Sequence, residues 1–383
     1  MTFLARTRAR ARAYDCATVT DPADFRRLQP EWDALWAAAP NSYVGESFEW
    51  AQLCWSLAPT GPGRLLCVTV RQGRRLMAVW PLLVARKGPL RLASPLAASS
   101  EYCPFLVHPE ADAEAVWLAI SDMLARERRV DALRLVNVRH DTAPGQCLSR
   151  SQPSAAMLYE TPTRFVPAAE LADWKAFRAR LSRKSRETLG YRRRRFCEAA
   201  TVTFREATHP HERAAAWTWL LEKKRRWAKE RGIDSPWLFS KRFDRFTTAA
   251  LDLLGPRGAR RIFILEADGA IAAAALVSVD QARVEGFILS YDEAFSAFSP
   301  GRLLTEDCLR WASERGLGFD LRLGDDTFKQ EWPSNAALTT TYAVPLTAAG
   351  HVLTAGLRLV YTLRRNRERK SPERDRERVP ATA

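Results

Sequence analysis

Two stretches of this sequence set chemically active residues at telling spacings. In FSPGRLLTEDCLRWASERG (298–316), Ser299, Pro300 and Gly301 stand before an amphipathic run whose apolar positions are Leu304, Cys308, Trp311 and Ala312. Ser suits a helix N-cap, Pro the first helical position, and Gly lets a ligand approach the backbone. The first N–H groups of a helix lack internal partners, and the helix dipole adds positive charge there. Arg302 adds a full charge, and the acids Glu306 and Asp307 come only later. This is the pattern of a phosphate cradle, and also that of a plainly capped strand-to-helix connection.

The second stretch, RKSRETLGYRRRRF (183–196), holds Arg183, Lys184, Arg186 and Arg192 to Arg195, offset by Glu187, with Tyr191 and Phe196 interleaved. It reads as a solvated face or docking site, as a site for an anionic substrate or cofactor, or as a track for nucleic-acid phosphates. No helix-turn-helix, zinc finger or other base-reading module accompanies it. Trp227 and Trp237 flank a loop at RGIDSPW, as a sugar-stacking pair or as lids on helix ends.

At 383 residues the chain is too long for one small core, and two domains are expected. A 46% hydrophobic content with 13 Trp and 17 Phe excludes global disorder. The formal charge of +15 favours an anionic partner: a nucleotide cofactor, nucleic acid, an acidic polymer or a membrane surface. Seven scattered cysteines without a C-x-x-C exclude a disulfide framework and a zinc site, so reduced thiols and a cytoplasmic location are expected. His209 and His211 flank Pro210 with no nearby Cys and read as a loop, so no metal is expected. The apolar runs at 76–85 and 270–279 are too short to span a bilayer, and the basic start has no apolar core of a secretion signal.

The elements that must position the candidates follow from periodicity. Helices are expected at 25–40, 48–57, 109–129, 171–189, 211–232, 240–255 and after Ser299. Strands are expected at 64–70, 75–85, 131–138, 163–168, 201–207, 259–269, 270–280, 282–292, 318–324 and 338–346, with a D-G hairpin at Asp268-Gly269. The two parts share an order of elements without sharing letters, which suggests two related α/β modules. The expected division is a basic, flexible N-terminus at 1–15, a first half at 16–140, a linker at 141–160, a second half at 161–348 and a basic, mostly disordered tail at 349–383.

The run FDLRLGDDTFKQEW (319–332) resembles the late signature of the CelD/BcsL-like acetyltransferases, a family linked to cellulose and exopolysaccharide operons. The places that match are Phe319, Asp320, Gly324, Asp325, Phe328, Lys329 and Trp332. Ser299, Pro300, Gly301 and Leu304 match that family's turn, 181–199 its basic helix, and Ser47, Phe48 and Trp50 its early motif. The resemblance implies a mixed α/β sheet fold with two GNAT-like halves packed together, as in the FemABX proteins. It implies acyl-CoA as co-substrate, acetyl-CoA first, held at Leu289, Ser290, Ser299, Pro300, Gly301, Arg302 and Leu303. The usual GNAT phosphate loop carries a second small residue where this turn has a single glycine, which leaves another acyl or an aminoacyl donor open.

Acyl transfer from a thioester requires that the acceptor lose a proton, the carbonyl be polarised and the thiolate leave. Asp325 is the candidate base, Lys329 the candidate stabiliser of negative charge, and Tyr291 the candidate donor to the thiolate. Each has a structural rival: a turn cap for Asp320 and Asp325, an ion pair with Asp325 or Asp326 for Lys329, a core position for Tyr291. Candidate substrate contacts are Arg183, Lys184, Arg186, Asp320 and Trp332. The expectation is an acyltransferase acting on an amine or hydroxyl of a small-molecule or saccharide acceptor, such as an envelope-polysaccharide precursor. Two other readings stand beside it: a non-catalytic basic scaffold for an acidic polymer or nucleic acid, and an aminoacyl-tRNA-dependent FemABX-like transferase. The Arg run at 364–378 would rest on an anionic membrane surface, placing the protein at the inner face of a membrane.

Overall fold

The computed structural model of the chain describes residues 7, 9–58, 63–96, 102–127, 129–151, 155–233, 235, 237–251 and 259–369. The early strands are β1 (Asp15–Val19), β2 (Arg64–Gln72), β3 (Arg75–Lys87), β4 (Leu90–Pro95), β5 (Leu106–Val107), β6 (Ala132–Arg139) and β7 (Ala156–Val166). The later ones are β8 (Val202–Glu206), β9 (Ala259–Ala267), β10 (Ala270–Val279), β11 (Arg283–Tyr291), β12 (Gly318–Leu323) and β13 (Asn335–Pro345). The chain divides into two compact units, one built from residues 1–162 and 337–378, the other from 163–336.

In the first unit the helices are α1 (Pro22–Arg27), α2 (Gln29–Ala38), α3 (Phe48–Ser56), α4 (Ala113–Arg126) and α5 (Ala143–Ser151). The strand order is β1-β2-β3-β4-β6-β13, with β5 on β3. Alternation puts Val68, Trp80 and Leu82 against Val116, Trp117 and Ile120 of α4. The ring of Trp80 lies 5.7 Å from Trp117 and 4.9 Å from Phe105. The early motif is structural here: Ser47 caps α3 by accepting from the Trp50 amide at 3.2 Å, while Phe48 and Trp50 are buried.

Four expectations about the chain's division are corrected. Residues 141–160 are not a linker: they form α5 and the start of β7, because Cys147 and Leu148 have a core to enter. The N-terminus is held down where it is described, since Ala11 packs on Ala115 and Ala119 and the Tyr14 hydroxyl accepts from the Asp112 amide at 3.0 Å; residues 1–6 and 8 lie outside the described ones. The supposed tail begins as the helix Ala348–Arg369, and β13 belongs with the first unit rather than the second. Residues 370–383 lie outside the described ones.

The second unit has α6 (Ala168–Leu171), α7 (Trp174–Ala179), α8 (Arg183–Ala199), α9 (Pro210–Glu230), α10 (Lys241–Leu251), α11 (Pro300–Ser313) and α12 (Thr327–Gln330). The helix expected over 171–189 is thus broken. Asp173 caps α7 through the Ala176 amide at 3.0 Å, and Ser182 caps α8 through the Ser185 amide at 3.0 Å. The strand order is β7-β12-β11-β10-β9-β8; β11 and β12 run parallel and the other pairs antiparallel. The β9–β10 hairpin turns at Asp268 and Gly269, both at positive φ (49° and 81°), as the D-G pair requires. On one face α8 and α11 bring Leu189, Phe196, Leu304 and Cys308 onto Phe263, Ala273 and Val277. On the other, α9 and α10 bring Trp217, Leu220 and Phe243 onto Ile262, Ile264 and Leu276. No helix among the described residues is long and apolar enough to cross a membrane.

Candidate active site

Strand β11 ends at Tyr291, a 3-10 turn covers Glu293–Phe298, and Ser299 takes a left-handed conformation (φ 50°, ψ 55°) before α11 starts. Ser299 stands at the N-cap position without capping through its side chain. Its hydroxyl instead accepts from the Arg192 guanidinium, which also donates to the Ala297 carbonyl at 3.3 Å. The Arg302 and Leu303 amides donate to the Ser299 carbonyl at 3.0 and 3.3 Å. Pro300 and Gly301 are buried. A Cβ at Gly301 would lie 3.1 Å from Leu289 Cδ2 and 3.5 Å from Tyr291 Cδ1. The glycine therefore serves close approach of helix to strand, not the approach of a ligand. Leu303, fully buried, is core and offers a ligand no side chain.

Beside this turn lies a groove of about 480 Å³. Leu181, just before α8, and Lys184, Ser185, Thr188, Leu189 and Arg192 of α8 line it, with Arg302, Glu331 and Trp332 opposite. A second hollow of about 440 Å³ shares Ser185, Glu331 and Trp332 and adds Arg180 and Gln330. The basic helix and the turn, separate in the sequence, thus face one cavity. Its charge is three cations, Lys184, Arg192 and Arg302, against one carboxylate, Glu331. Arg302 pairs with Glu331 by two contacts, Nε donating to Oε2 at 2.7 Å. The indole Nε1 of Trp332, a residue 3% exposed, has no hydrogen-bond partner, which leaves a donor for a ligand acceptor.

The other predicted residues fare differently. Asp325 is not placed as a base: it is exposed and paired with Arg164, whose hydrogen bond holds its carboxyl below the ordinary carboxylate range. Lys329 turns inward, its ammonium donating to the Leu323 and Arg322 carbonyls, so it clamps the end of β12 rather than facing a ligand. Asp320 is 1% exposed and accepts from the Arg322 amide at 2.6 Å, away from the groove. Arg183 is exposed and pairs with Glu187 at 2.8 Å, one helical turn on. Arg186 donates to the Leu181 carbonyl at 2.6 Å and holds the α7–α8 connection. Ser290 is buried opposite Ala274, while Leu289 and Tyr291 pack against the core that holds α11. The described parts of the RGIDSPW loop place Trp227 and Trp237 against the α9–α10 core.

Periodicity did not reveal the most distinctive backbone feature. The parallel pairing of β11 with β12 covers only Arg283–Glu285 against Gly318–Asp320. Beyond Glu285 the strands part, and the β12-side edge of residues 286–291 is left for another hydrogen-bonding chain. On the other side the register slips: Leu276 faces Ile288 and Val277 faces Gly286, so Phe287 is an extra, bulged residue. Gly286, alone inside a strand, was the available signal. At the point of parting sits the Glu285 carboxyl, fully buried, which burial pushes up despite Arg322 at 3.9 Å.

Residues 183–330 match the model of an acetyltransferase (GNAT) domain. The chain carries a GNAT-type acyltransferase domain. Its fold, helices on both faces of mixed sheets, is shared with solved structures at low identity. FemX is 13% identical, with a TM-score of 0.59 over 85% of this chain and 96% of that one. A conserved protein of unknown function from Bacteroides thetaiotaomicron is 10% identical, with a TM-score of 0.50 over 82% and 97%. A tandem GNAT protein from the clavulanic acid biosynthesis pathway is 14% identical, with a TM-score of 0.44 over 87% and 99%. No curated protein matches the sequence. The matched segment starts at the first residue of α8, so the GNAT region includes the basic helix that lines the groove.

Proposed function

We propose that this GNAT-type protein transfers an acyl group from acyl-CoA, acetyl-CoA first, to an amine or hydroxyl of a small or saccharide acceptor. The observation that carries this reading is the convergence of Lys184, Arg192 and Arg302 on one groove at the start of α11. A pyrophosphate there would meet three cations and the positive end of a helix. The donor's amide-bearing arm would run toward the gap between β11 and β12, where the open strand edge can hydrogen-bond it. The bulge at Phe287 breaks the regular ladder beside that gap, and a peptide N–H of this edge is the candidate donor to the thioester oxygen. The acceptor nitrogen or oxygen attacks the carbonyl carbon, the C–S bond breaks, the thiolate takes a proton, and the proton that the acceptor loses passes to water and so restores the donor. Tyr291 at the end of β11 is the candidate for that last proton. The CelD/BcsL-like pattern supports a saccharide acceptor.

The test is calorimetric titration of the full chain with acetyl-CoA, alongside Lys184→Glu and Trp332→Phe. Lys184 lines the groove and is exposed, so its reversal leaves the core intact. The expected loss in affinity is about tenfold, on the order of 1.4 kcal/mol. A wild-type chain that ignores acetyl-CoA, longer acyl-CoAs and free CoA would sink this reading, as would unaltered binding by Lys184→Glu.

One observation favours a second donor. Past the groove, α8 continues with Tyr191, 55% exposed, and exposed Arg194 and Arg195. That is more basic and aromatic surface than a pyrophosphate engages, and it suits the end of an aminoacyl-tRNA. Salt-sensitive tRNA binding in a chain silent to CoA would select that donor.

A further inference from the structure

The helix α13 (Ala348–Arg369), within the first unit, carries apolar residues on two sides. One side is docked. Thr354 is buried, Leu353, Leu357 and Tyr361 are half-buried, and the helix packs on β4 and β6. Its start is fixed on Asp131: the Leu346 amide donates to the Asp131 carbonyl at 2.9 Å and the Thr347 hydroxyl to its carboxylate at 3.1 Å. At Gly350 a Cβ would come within 1.9 Å of that carbonyl, so only glycine lets the helix lie so close.

The opposite side is bare. Eight large hydrophobic side chains stand exposed among the described residues, and four of them are on this helix: Val352 (69%), Leu359 (60%), Val360 (45%) and Leu363 (51%). At 100° per residue, positions 352, 359 and 363 fall within about 40° of one another. Arg358 and Arg364, both exposed, lie about 100° of rotation to either side of this stripe. Arg358, Arg364, Arg365, Arg367 and Arg369 stand against a single acid, Glu368, along the helix.

We infer that α13 is an interfacial helix that lays Val352, Leu359 and Leu363 onto an anionic lipid surface, with its arginines at the headgroups. A narrow apolar stripe bordered by arginines meets both demands of that environment, acyl chains below and phosphates at the rim. Charge complementarity selects this occupant over a second copy of the chain. Two such helices face to face would bring the exposed Arg358 and Arg364 of each copy together, and residues 348–364 of the helix hold no acid to offset them.

The experiment is sedimentation of the full chain with vesicles of phosphatidylcholine alone and of phosphatidylcholine mixed with phosphatidylglycerol. The chain is expected to sediment with the mixed vesicles only, and less so as salt rises. Leu359→Ser/Leu363→Ser and Arg358→Glu/Arg364→Glu should each lower the bound fraction about tenfold. All four side chains are exposed, so the thermal transition should stay where it is; Val352→Ser/Leu359→Ser repeats the test should one pair disturb folding. Failure to bind the mixed vesicles overturns the inference. So does binding that the serine pairs leave unchanged, or a dimer in ultracentrifugation that they dissociate. None of these outcomes depends on the acyl donor.

Discussion

Arg192, Arg193, Arg194 and Arg195 stand in the sequence as one block of charge, and the fold separates their roles. Arg192 reaches the Ser299 hydroxyl and the groove, Arg193 binds Glu306 and Asp307, and Arg194 and Arg195 face solvent. Residue type and spacing made the block legible as a cluster of positive charge suited to an anion. The division of labour was not legible, because Arg192 and Arg193 find partners 105 to 114 residues away. Asp325 and Lys329 show the same limit: their motif matched, but the partners Arg164 and the Leu323 carbonyl decide what they can do. Two outcomes follow. Asp325→Asn should leave turnover within about twofold, since a carboxylate held by a guanidinium is a weak base; a large drop in kcat with an unchanged melt would restore Asp325 as base. Glu331→Gln should tighten acetyl-CoA about threefold by removing the groove's one carboxylate and freeing Arg302, on the order of 0.7 kcal/mol at a half-exposed site. Weaker binding in that titration would mean that the Arg302–Glu331 pair positions the ligand instead.

At the scale of elements, periodicity found the hairpins and the long helices, because alternation and helical spacing are local. It missed the parting of β11 from β12, which depends on what pairs with each strand. It also missed the break at Ser182, where a capping residue sits between two runs of good helix formers. The α8–α11 packing beside the groove depends on a clamp. Arg193 Nη2 lies 2.8 Å from Asp307 and 3.1 Å from Glu306, and Arg178 Nε lies 2.9 Å from Glu306. Burial would lower the Arg193 guanidinium, but Asp307 and Glu306 outweigh it and raise it. For Asp307 burial wins over Arg193 and pushes the carboxyl up to about 6. Arg193→Ala should therefore cost about 3 kcal/mol in urea unfolding, because it leaves two carboxylates poorly matched in the interior. The pH dependence has a definite sign. The folded chain keeps a proton on Asp307 that the unfolded chain releases near 4, so this group's contribution is present below about pH 4 and is lost toward pH 6. Comparing the urea midpoint across that window in wild type and Asp307→Asn isolates it. The wild type should fall relative to the variant by about 2 kcal/mol, and parallel profiles would remove Asp307 as the cause.

For the whole molecule, order in the sequence is not order in the fold. Reading two consecutive halves assigned the last strand, 338–346, to the second because it follows it. The structure gives β13 to the first unit, beside β6, with Tyr342 opposite Leu135 and Val344 opposite Leu133. Nothing local distinguishes the alternatives, since an apolar strand suits either sheet and pairing alone decides. The consequence is that the first unit is closed only after the second has been made. A fragment of residues 1–162 lacks β13, and β6 then presents unpaired peptide groups and the bare side chains that Tyr342 and Val344 cover in the core. Burial of those two side chains is worth about 1.5–3 kcal/mol each, a large share of a domain's marginal stability. The fragment should melt without a cooperative transition and be cut rapidly in limited proteolysis. Supplying residues 337–369 through a short linker should restore a cooperative melt, because β13 and α13 return to their places on β6. If residues 1–162 alone melt cooperatively, the first unit closes without β13, and the late strand is an addition to a finished core rather than its completion.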